Sequence, residues 1–293
     1  MLIKHLQHEQ IDYQKWDQCI MNSKNRFVYA ETWFLDSVSP LWEALVANDY
    51  EYVMPLPVKT KYGIPYLVQP ILTQQLGVFS PFTIDEQIVA EFIKKIPYPS
   101  YELNLNENNY FRTASAFPNY ILELNQSYEE IRAKFSKNTR RNIEKAKKHK
   151  LKIIENLEQE IFLDFYYLQE KNFTLPDRTL LEAFLKRGIT KEKIKILGVF
   201  SQKNELIAVL CLLHSGNRYT YLIPVSNTEG KKSSAMFLLI DEMIRKNANQ
   251  KIIFDFEGSR IEGIARFYKG FGAKNRPYYV LKKFRPSFLV GKI

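Results

Sequence analysis

Apolar positions recur along the chain in two periods, one helical and one of strands. Ile11, Trp16, Cys19 and Ile20 share one side of a helix over 11–22, and a short helix at 29–38 is closed by Ser39-Pro40. Residues 43–46 and 50–58 read as a hairpin turning at Asn48-Asp49, with Met54-Pro-Leu-Pro57 taking its second strand to a sheet edge. A strand at 66–69, a proline-bounded packed loop at 70–81, an amphipathic helix at 84–96 and strands at 101–105 and 120–124 complete a first half ending near Asn125. Ser127 and Glu130 then form a capping box that opens a helix. A basic helix follows, capped by Ser136 or Asn138, then a strand at 151–154 and helices at 161–173 and 179–187. Strands at 194–200, 206–213 and 219–223 make a meander; a loop at 226–234 leads into a helix at 235–246. The apolar run Ile252 to Phe256 is a buried strand tipped by Asp255 and Glu257, and Gly258-Ser259 breaks it. A helix carrying Ile261, Ile264, Ala265 and Tyr268 ends at Gly270 and Gly272, before a last strand at 278–282.

Two halves with the same coarse order of helices and then strands suit two medium domains, at 1–125 and 126–293, better than one large one. The class expected is α/β in the broad sense (α+β), mixed sheets flanked by helices. Aromatic residues make up 14% of the chain, enough for buried aromatic clusters or stacking surfaces. No apolar run approaches the roughly 18 residues that span a bilayer, and the first ten residues lack a secretory apolar core, so a cytoplasmic location is expected. Cys19 and Cys211 read as buried free thiols. The four histidines and these cysteines have no metal-ligand spacing, so no metal is expected. No nucleophile elbow, P-loop or dinucleotide fingerprint is present.

A net charge of +10 selects for anionic partners: nucleic acid, a phosphorylated cofactor, an anionic or nucleotide-linked small molecule, or an anionic membrane face. Much of it lies in 134–150, where Arg140, Arg141, Lys145 and Lys148 share one broad helix face. That face reads either as a grip on phosphate or as a solvated surface, few aromatics being interleaved with the charges. The acids at 255 and 257, followed by Arg260, Arg266, Tyr268 and Lys269, read either as a site or as an ordinary strand-to-helix turn. Trp33 reads as core, or as the wall of a cleft between the halves.

The order of the second half, helices, meander, loop, helix, strand, helix, strand, resembles the GNAT acyltransferase superfamily. The resemblance implies that the loop Glu229-Gly-Lys-Lys-Ser-Ser-Ala235 holds a cofactor pyrophosphate, with Gly230, Lys231, Lys232, Ser233 and Ser234 contributing; free amides at a helix start attract an anion. The loop keeps only part of the superfamily's glycine pattern. Ala265-Arg-Phe-Tyr-Lys-Gly-Phe-Gly272 is similar to the closing motif, which implies that Tyr268 protonates the departing group.

Lys137-Asn-Thr-Arg-Arg-Asn-Ile-Glu-Lys-Ala146, the meander, Asp255-Phe-Glu-Gly-Ser259 and Phe267-Tyr-Lys269 together resemble the Fem-type family, tandem-GNAT transferases that add residues from aminoacyl-tRNA to peptidoglycan precursors. Tyr29-x-x-x-Trp33 and Gln74 to Ser80 are similar to a shorter bacterial branch; the long charged coiled-coil arm of some members is absent. The resemblance implies two GNAT-like domains in tandem, the first degenerate, with a cleft between them. It implies an N-acyltransferase taking an acyl or aminoacyl group from acetyl-CoA, another acyl-CoA or an aminoacyl-tRNA. Asp255 or Glu257 would bind or deprotonate the amine, Lys269 would stabilise the oxyanion, and Arg260 and Arg266 would clamp phosphate or carboxylate. A binding protein on a decayed GNAT scaffold, and an RNA-binding module using the basic helix, are the alternatives.

Overall fold

The computed structural model describes residues 1–169 and 175–284. They form two compact units, one built from Met1–Pro118 and the chain from Arg276 onward, the other from Asn119–Asn275. The first contains β1 (Ile3–Leu6), α1 (Tyr13–Asn22), α2 (Thr32–Val38), β2 (Glu43–Ala47), β3 (Tyr52–Leu56), β4 (Val58–Lys61), β5 (Ile64–Val68), α3 (Glu86–Lys94), β6 (Tyr101–Leu105) and β7 (Ser115–Phe117). The second contains β8 (Tyr120–Glu123), α4 (Tyr128–Ala133), α5 (Lys137–Lys148), β9 (Lys152–Glu155), α6 (Gln159–Leu168), α7 (Arg178–Thr190) and β10 (Ile194–Phe200). It continues with β11 (Leu206–Ser215), β12 (Arg218–Ser226), α8 (Thr228–Lys232), α9 (Ala235–Asn247), β13 (Ile253–Asp255), α10 (Glu262–Gly270) and β14 (Lys274–Asn275). The last strand, β15 (Tyr278–Lys283), returns to the first unit.

Among the described residues the first unit has a three-stranded sheet, β1-β2-β3, and a five-stranded one, β4-β5-β6-β15-β7. The second has a seven-stranded sheet in the order β14-β8-β13-β12-β11-β10-β9. Each unit holds one parallel pair, β5 with β6 and β12 with β13, so both are mixed, as expected of the class. The strand expected to close the first half, β8, instead pairs with β13 and β14, Leu122 opposite Phe254. The expected helix 161–173 is α6; its residues 170–173 lie outside the described ones.

Burial explains the strand pattern. β11, Leu-Ile-Ala-Val-Leu-Cys-Leu-Leu-His-Ser, is an almost unbroken apolar run because its residues are buried on both faces, with α6, α8 and α9 packed on it. Cys211 in this strand and Cys19 in α1 are free and buried, and burial pushes the Cys19 thiol up to about 11. In α5, Thr139, Ile143 and Ala146 face the core and the basic residues face solvent. Ser136 caps α5, its Oγ accepting from the Thr139 amide at 3.1 Å, and Ser127 with Glu130 makes the expected capping box on α4. Trp33 belongs to the core of the first unit, where its indole N–H donates to Glu31 Oε2 at 2.9 Å and its ring packs on Phe34. No helix among the described residues is long and apolar enough to cross a membrane.

One buried acid ties helices together. Tyr128 of α4 donates to Asp241 Oδ1 of α9 at 2.8 Å. Burial raises the Asp241 carboxyl above its ordinary value. A raised acid favours the protonated fold, so this stability is fully present below the ordinary carboxylate value and is lost as pH rises through the raised one. Asp241→Asn keeps an acceptor for Tyr128. It is expected to be more stable than wild type at pH values above that raised one. The advantage should shrink as the pH of urea titrations falls into the carboxylate range.

Candidate active site on the second unit

The parallel pair β12–β13 is short: Arg218 lies opposite Ile253, Tyr219 opposite Phe254 and Thr220 opposite Asp255, and there the pairing stops. β12 runs on to Ser226 along β11, with a bulge where the partner of Cys211 is Ile223 and that of Leu212 is Tyr221. Past Asp255 the other chain stays with β8, the Phe256 amide donating to Tyr120 O at 2.9 Å and the Tyr120 amide to Glu257 O at 3.1 Å. The sheet thus parts at the carboxyl end of β13, where β12 runs on alone beside β11.

Asp255, at that point, is fully buried. Its Oδ2 accepts from the Arg218 guanidinium and its Oδ1 accepts from the Glu257 amide at 2.9 Å. Arg218 carries no motif that marks it; its one signal is a lone arginine opening an apolar strand. Tyr268 of α10 is buried with its ring 4.9 Å from Phe256 and 6.0 Å from Tyr120. Burial, followed by the Glu257 and Asp255 carboxylates, pushes its phenol above the ordinary value, so at neutral pH it is an O–H donor.

α10 also borders a cavity of about 760 Å³. Gly263, Arg266, Phe267, Lys269 and Gly270 line it from α10, Ser136, Asn138 and Thr139 from the first turn of α5, and Phe237 from the first turn of α9. The helix ends are locked together: the Ser136 amide donates to Gly270 O at 2.8 Å. Position 270 must be glycine, because a Cβ would lie 2.4 Å from Thr139 Oγ1. Lys269 Nζ stands 5.5 Å from the centre of the Tyr120 ring. Neither Arg266 nor Lys269 is ion-paired among the described residues, so two cations and a helix N-terminus face one space. Arg140 and Arg141 are exposed on the following turn of α5, Arg141 donating to Asn138 Oδ1 at 3.0 Å. Arg260 is exposed ahead of α10, outside the cavity lining.

The expected pyrophosphate loop is folded differently. Residues 228–232 form α8, and Gly230 is buried against β11. The amides a phosphate would need are already used: Gly230 N–H donates to Asn227 Oδ1 at 2.8 Å, Lys231 N–H to Asn227 O at 3.0 Å, Ser233 N–H to Glu229 O at 2.8 Å and Ser234 N–H to Lys231 O at 3.2 Å. The Ser233 hydroxyl donates to Glu229 O, and that of Ser234, whose φ is +61°, to Asn142 Oδ1 at 2.9 Å. Lys231 and Lys232 are exposed side chains on a short helix. These five residues do not fit a CoA pyrophosphate.

Residues 133–269 match the family Acetyltransferase (GNAT) domain, a class that in general takes its acyl group from acyl-CoA. No curated protein matches the chain. Among solved structures, FemX superposes with a TM-score of 0.71 at 12% identity, over all of both chains. The C-terminal domain of a putative lysylphosphatidylglycerol synthetase from Agrobacterium fabrum gives 0.58 at 10% identity, over 96% of this chain and 94% of that one. A tandem GNAT protein from the clavulanic acid biosynthesis pathway gives 0.51 at 10%, over 96% and 98%. Residues 133–269 are thus similar to a GNAT acetyltransferase domain, and the chain as a whole shares its fold with FemX and with a tandem GNAT protein.

Proposed function

We propose that the chain is an N-acyltransferase that takes an aminoacyl group from the ester of an aminoacyl-tRNA and passes it to an amine. The observation that carries this reading is the cavity beside α10, where the Arg266 and Lys269 charges and the first turn of α5 meet without an acidic partner among the described residues. Acyl transfer builds negative charge on the carbonyl oxygen, and a cation held in a part-enclosed space stabilises that charge more than water does. Lys269 takes this role, Arg266 holds a phosphate of the donor, and Tyr268 protonates the departing oxygen. The internal bonding of the 230–234 amides favours a tRNA ester over a CoA thioester. Arg140 and Arg141, exposed one turn beyond the cavity wall, suit a polyanion that continues past it.

Two titrations test the donor. A gel-shift series with unfractionated tRNA is expected to show a complex at low salt that weakens steeply as salt rises. Arg140→Ala/Arg141→Ala should weaken it roughly uniformly across tRNA species and lower the salt slope by about two. Calorimetry with acetyl-CoA should give no heat. A CoA isotherm with no tRNA complex would reverse the choice of donor.

A further inference from the structure

The β4–β5 hairpin of the first unit carries apolar surface that the fold does not use. Residues 59–65, Lys-Thr-Lys-Tyr-Gly-Ile-Pro, are all exposed. Tyr62 is 93% exposed, more than any other large apolar side chain among the described residues, and Ile64 is 55% exposed. Lys61 pairs with Ile64, which leaves Tyr62 and Gly63 as a two-residue turn. Both have positive φ, +53° and +76°. Two such residues give a turn whose twist matches its strands, and the first of them is usually Asn, Asp or Gly. A tyrosine there is strained, and this one buries almost none of its ring in return. A Cβ at Gly63 would meet nothing within 4 Å, so the turn is open around it. The ladder places Lys59 opposite Tyr66 and Lys61 opposite Ile64, so these four share one face. The other face holds Val58 and Leu67, which pack into the core of the first unit and anchor the hairpin at its base. Lys61 Nζ stands 5.9 Å from the centre of the Tyr62 ring, and no Asp or Glu occurs anywhere from Tyr52 to Ile84.

We infer that this hairpin docks the protein on an anionic lipid surface, with Tyr62 and Ile64 entering the headgroup layer and Lys59 and Lys61 against the lipid phosphates. A tyrosine suits that boundary because its ring prefers the apolar side and its hydroxyl the wet one. A lysine suits it because its stem lies along apolar surface while its ammonium stays outside. The positive charge of the tip complements the anionic surface, an attraction that salt screens within a Debye length. The tip is convex and Ile64 has no ring face for a base, whereas single-stranded nucleic acid binds in grooves lined by stacking rings. So few inserted side chains make the docking reversible, a peripheral contact in a chain with no membrane-crossing helix among its described residues.

The test sediments the full chain with vesicles of phosphatidylcholine alone, or with about one third phosphatidylglycerol, at low and raised salt. Wild type is expected to bind the mixed vesicles at low salt, to leave them as salt rises, and to ignore pure phosphatidylcholine. Lys59→Ala/Lys61→Ala should lower the partition coefficient about 30-fold, roughly fivefold for each lysine. Tyr62→Ser/Ile64→Ser should lower it about tenfold or more with no change in net charge. Lys191→Ala/Lys203→Ala, which removes the same charge from exposed positions of the second unit, should lower it less than about fivefold. An environment-sensitive dye on Tyr62→Cys reports insertion, labelling being selective because Cys19 and Cys211 are buried. Its emission should shift to the blue on the mixed vesicles and be quenched from the acyl region, while the same dye on Lys203→Cys should not respond. Transfer to a soluble amine should be unchanged in the hairpin variants, so this inference and the acyl transfer proposed above stand or fall separately. No binding to the mixed vesicles, equal losses in the control pair, or binding with a silent dye at position 62 would overturn it. Hairpin variants that lose a tRNA complex and keep vesicle binding would assign the tip to nucleic acid and overturn it too.

Discussion

Gly230→Ala is expected to destabilise the second unit by about 3 kcal/mol, the range of a severely overpacked core. The added methyl would sit 2.1 Å from the carbonyl oxygen of Ile207 and 3.0 Å from its carbonyl carbon. Both are backbone atoms of β11, the most buried strand of the sheet, and that oxygen also accepts from the Asn227 amide at 3.1 Å. Neither partner is a flexible chain end, so α8 must lift from the sheet or β11 must bend. The substitution is informative because helix propensity alone predicts a gain of about 1 kcal/mol for alanine over glycine. Gly263→Ala supplies the contrast. It too is helical, near the start of α10, but nothing lies within 4 Å of its added methyl, and there the propensity term should win by about 0.5 kcal/mol. Thermal melts of both variants check the pair; Gly230→Ala melting with wild type would mean that α8 does not rest on β11 as described.

Lys269→Ala should lower transfer by about 100- to 1,000-fold, the loss seen when one donor to an oxyanion is removed. Its effect on stability should be within about 1 kcal/mol, because the side chain is exposed and stands over the Tyr120 ring. The drop should fall on kcat with KM little changed, since the charge it opposes exists only once the amine has attacked. Full activity in this variant would take the oxyanion out of the α10 cavity and with it the site proposed.

The parts of this molecule legible in the sequence are those whose pattern has a local cause. The meander strands were readable because each is an apolar run bounded by turn residues, and β10 begins and ends where expected. Ser136 was readable as a cap because its oxygen serves an amide three residues on. What Ser136 abuts was not readable: its own amide reaches Gly270, a glycine that looked like a helix stop and is instead required by the approach of Thr139. Asp255 looked like an available acid because its partner, Arg218, stands 37 residues earlier in a strand of otherwise apolar and hydroxyl residues. Gly230 looked like part of an anion loop because glycine marks close approach without saying to what; here it is to the protein's own backbone. The order of elements in the second half resembles the GNAT superfamily, while the placement of β8 and β15 depended on pairings between residues far apart in the chain.

The return of β15 has a consequence for how the protein is made. This strand sits inside the five-stranded sheet, between β6 and β7, with Leu281 opposite Leu103 and Tyr279 opposite Ala116. During synthesis the whole of the second unit leaves the ribosome before that partner does. The second unit can close first, on the tether of an unfinished neighbour in which β6 keeps one open edge and β7 lacks its partner until β15 arrives. Nascent protein stalled short of Tyr278 is therefore the form most exposed to aggregation, and the one on which a chaperone has most to hold.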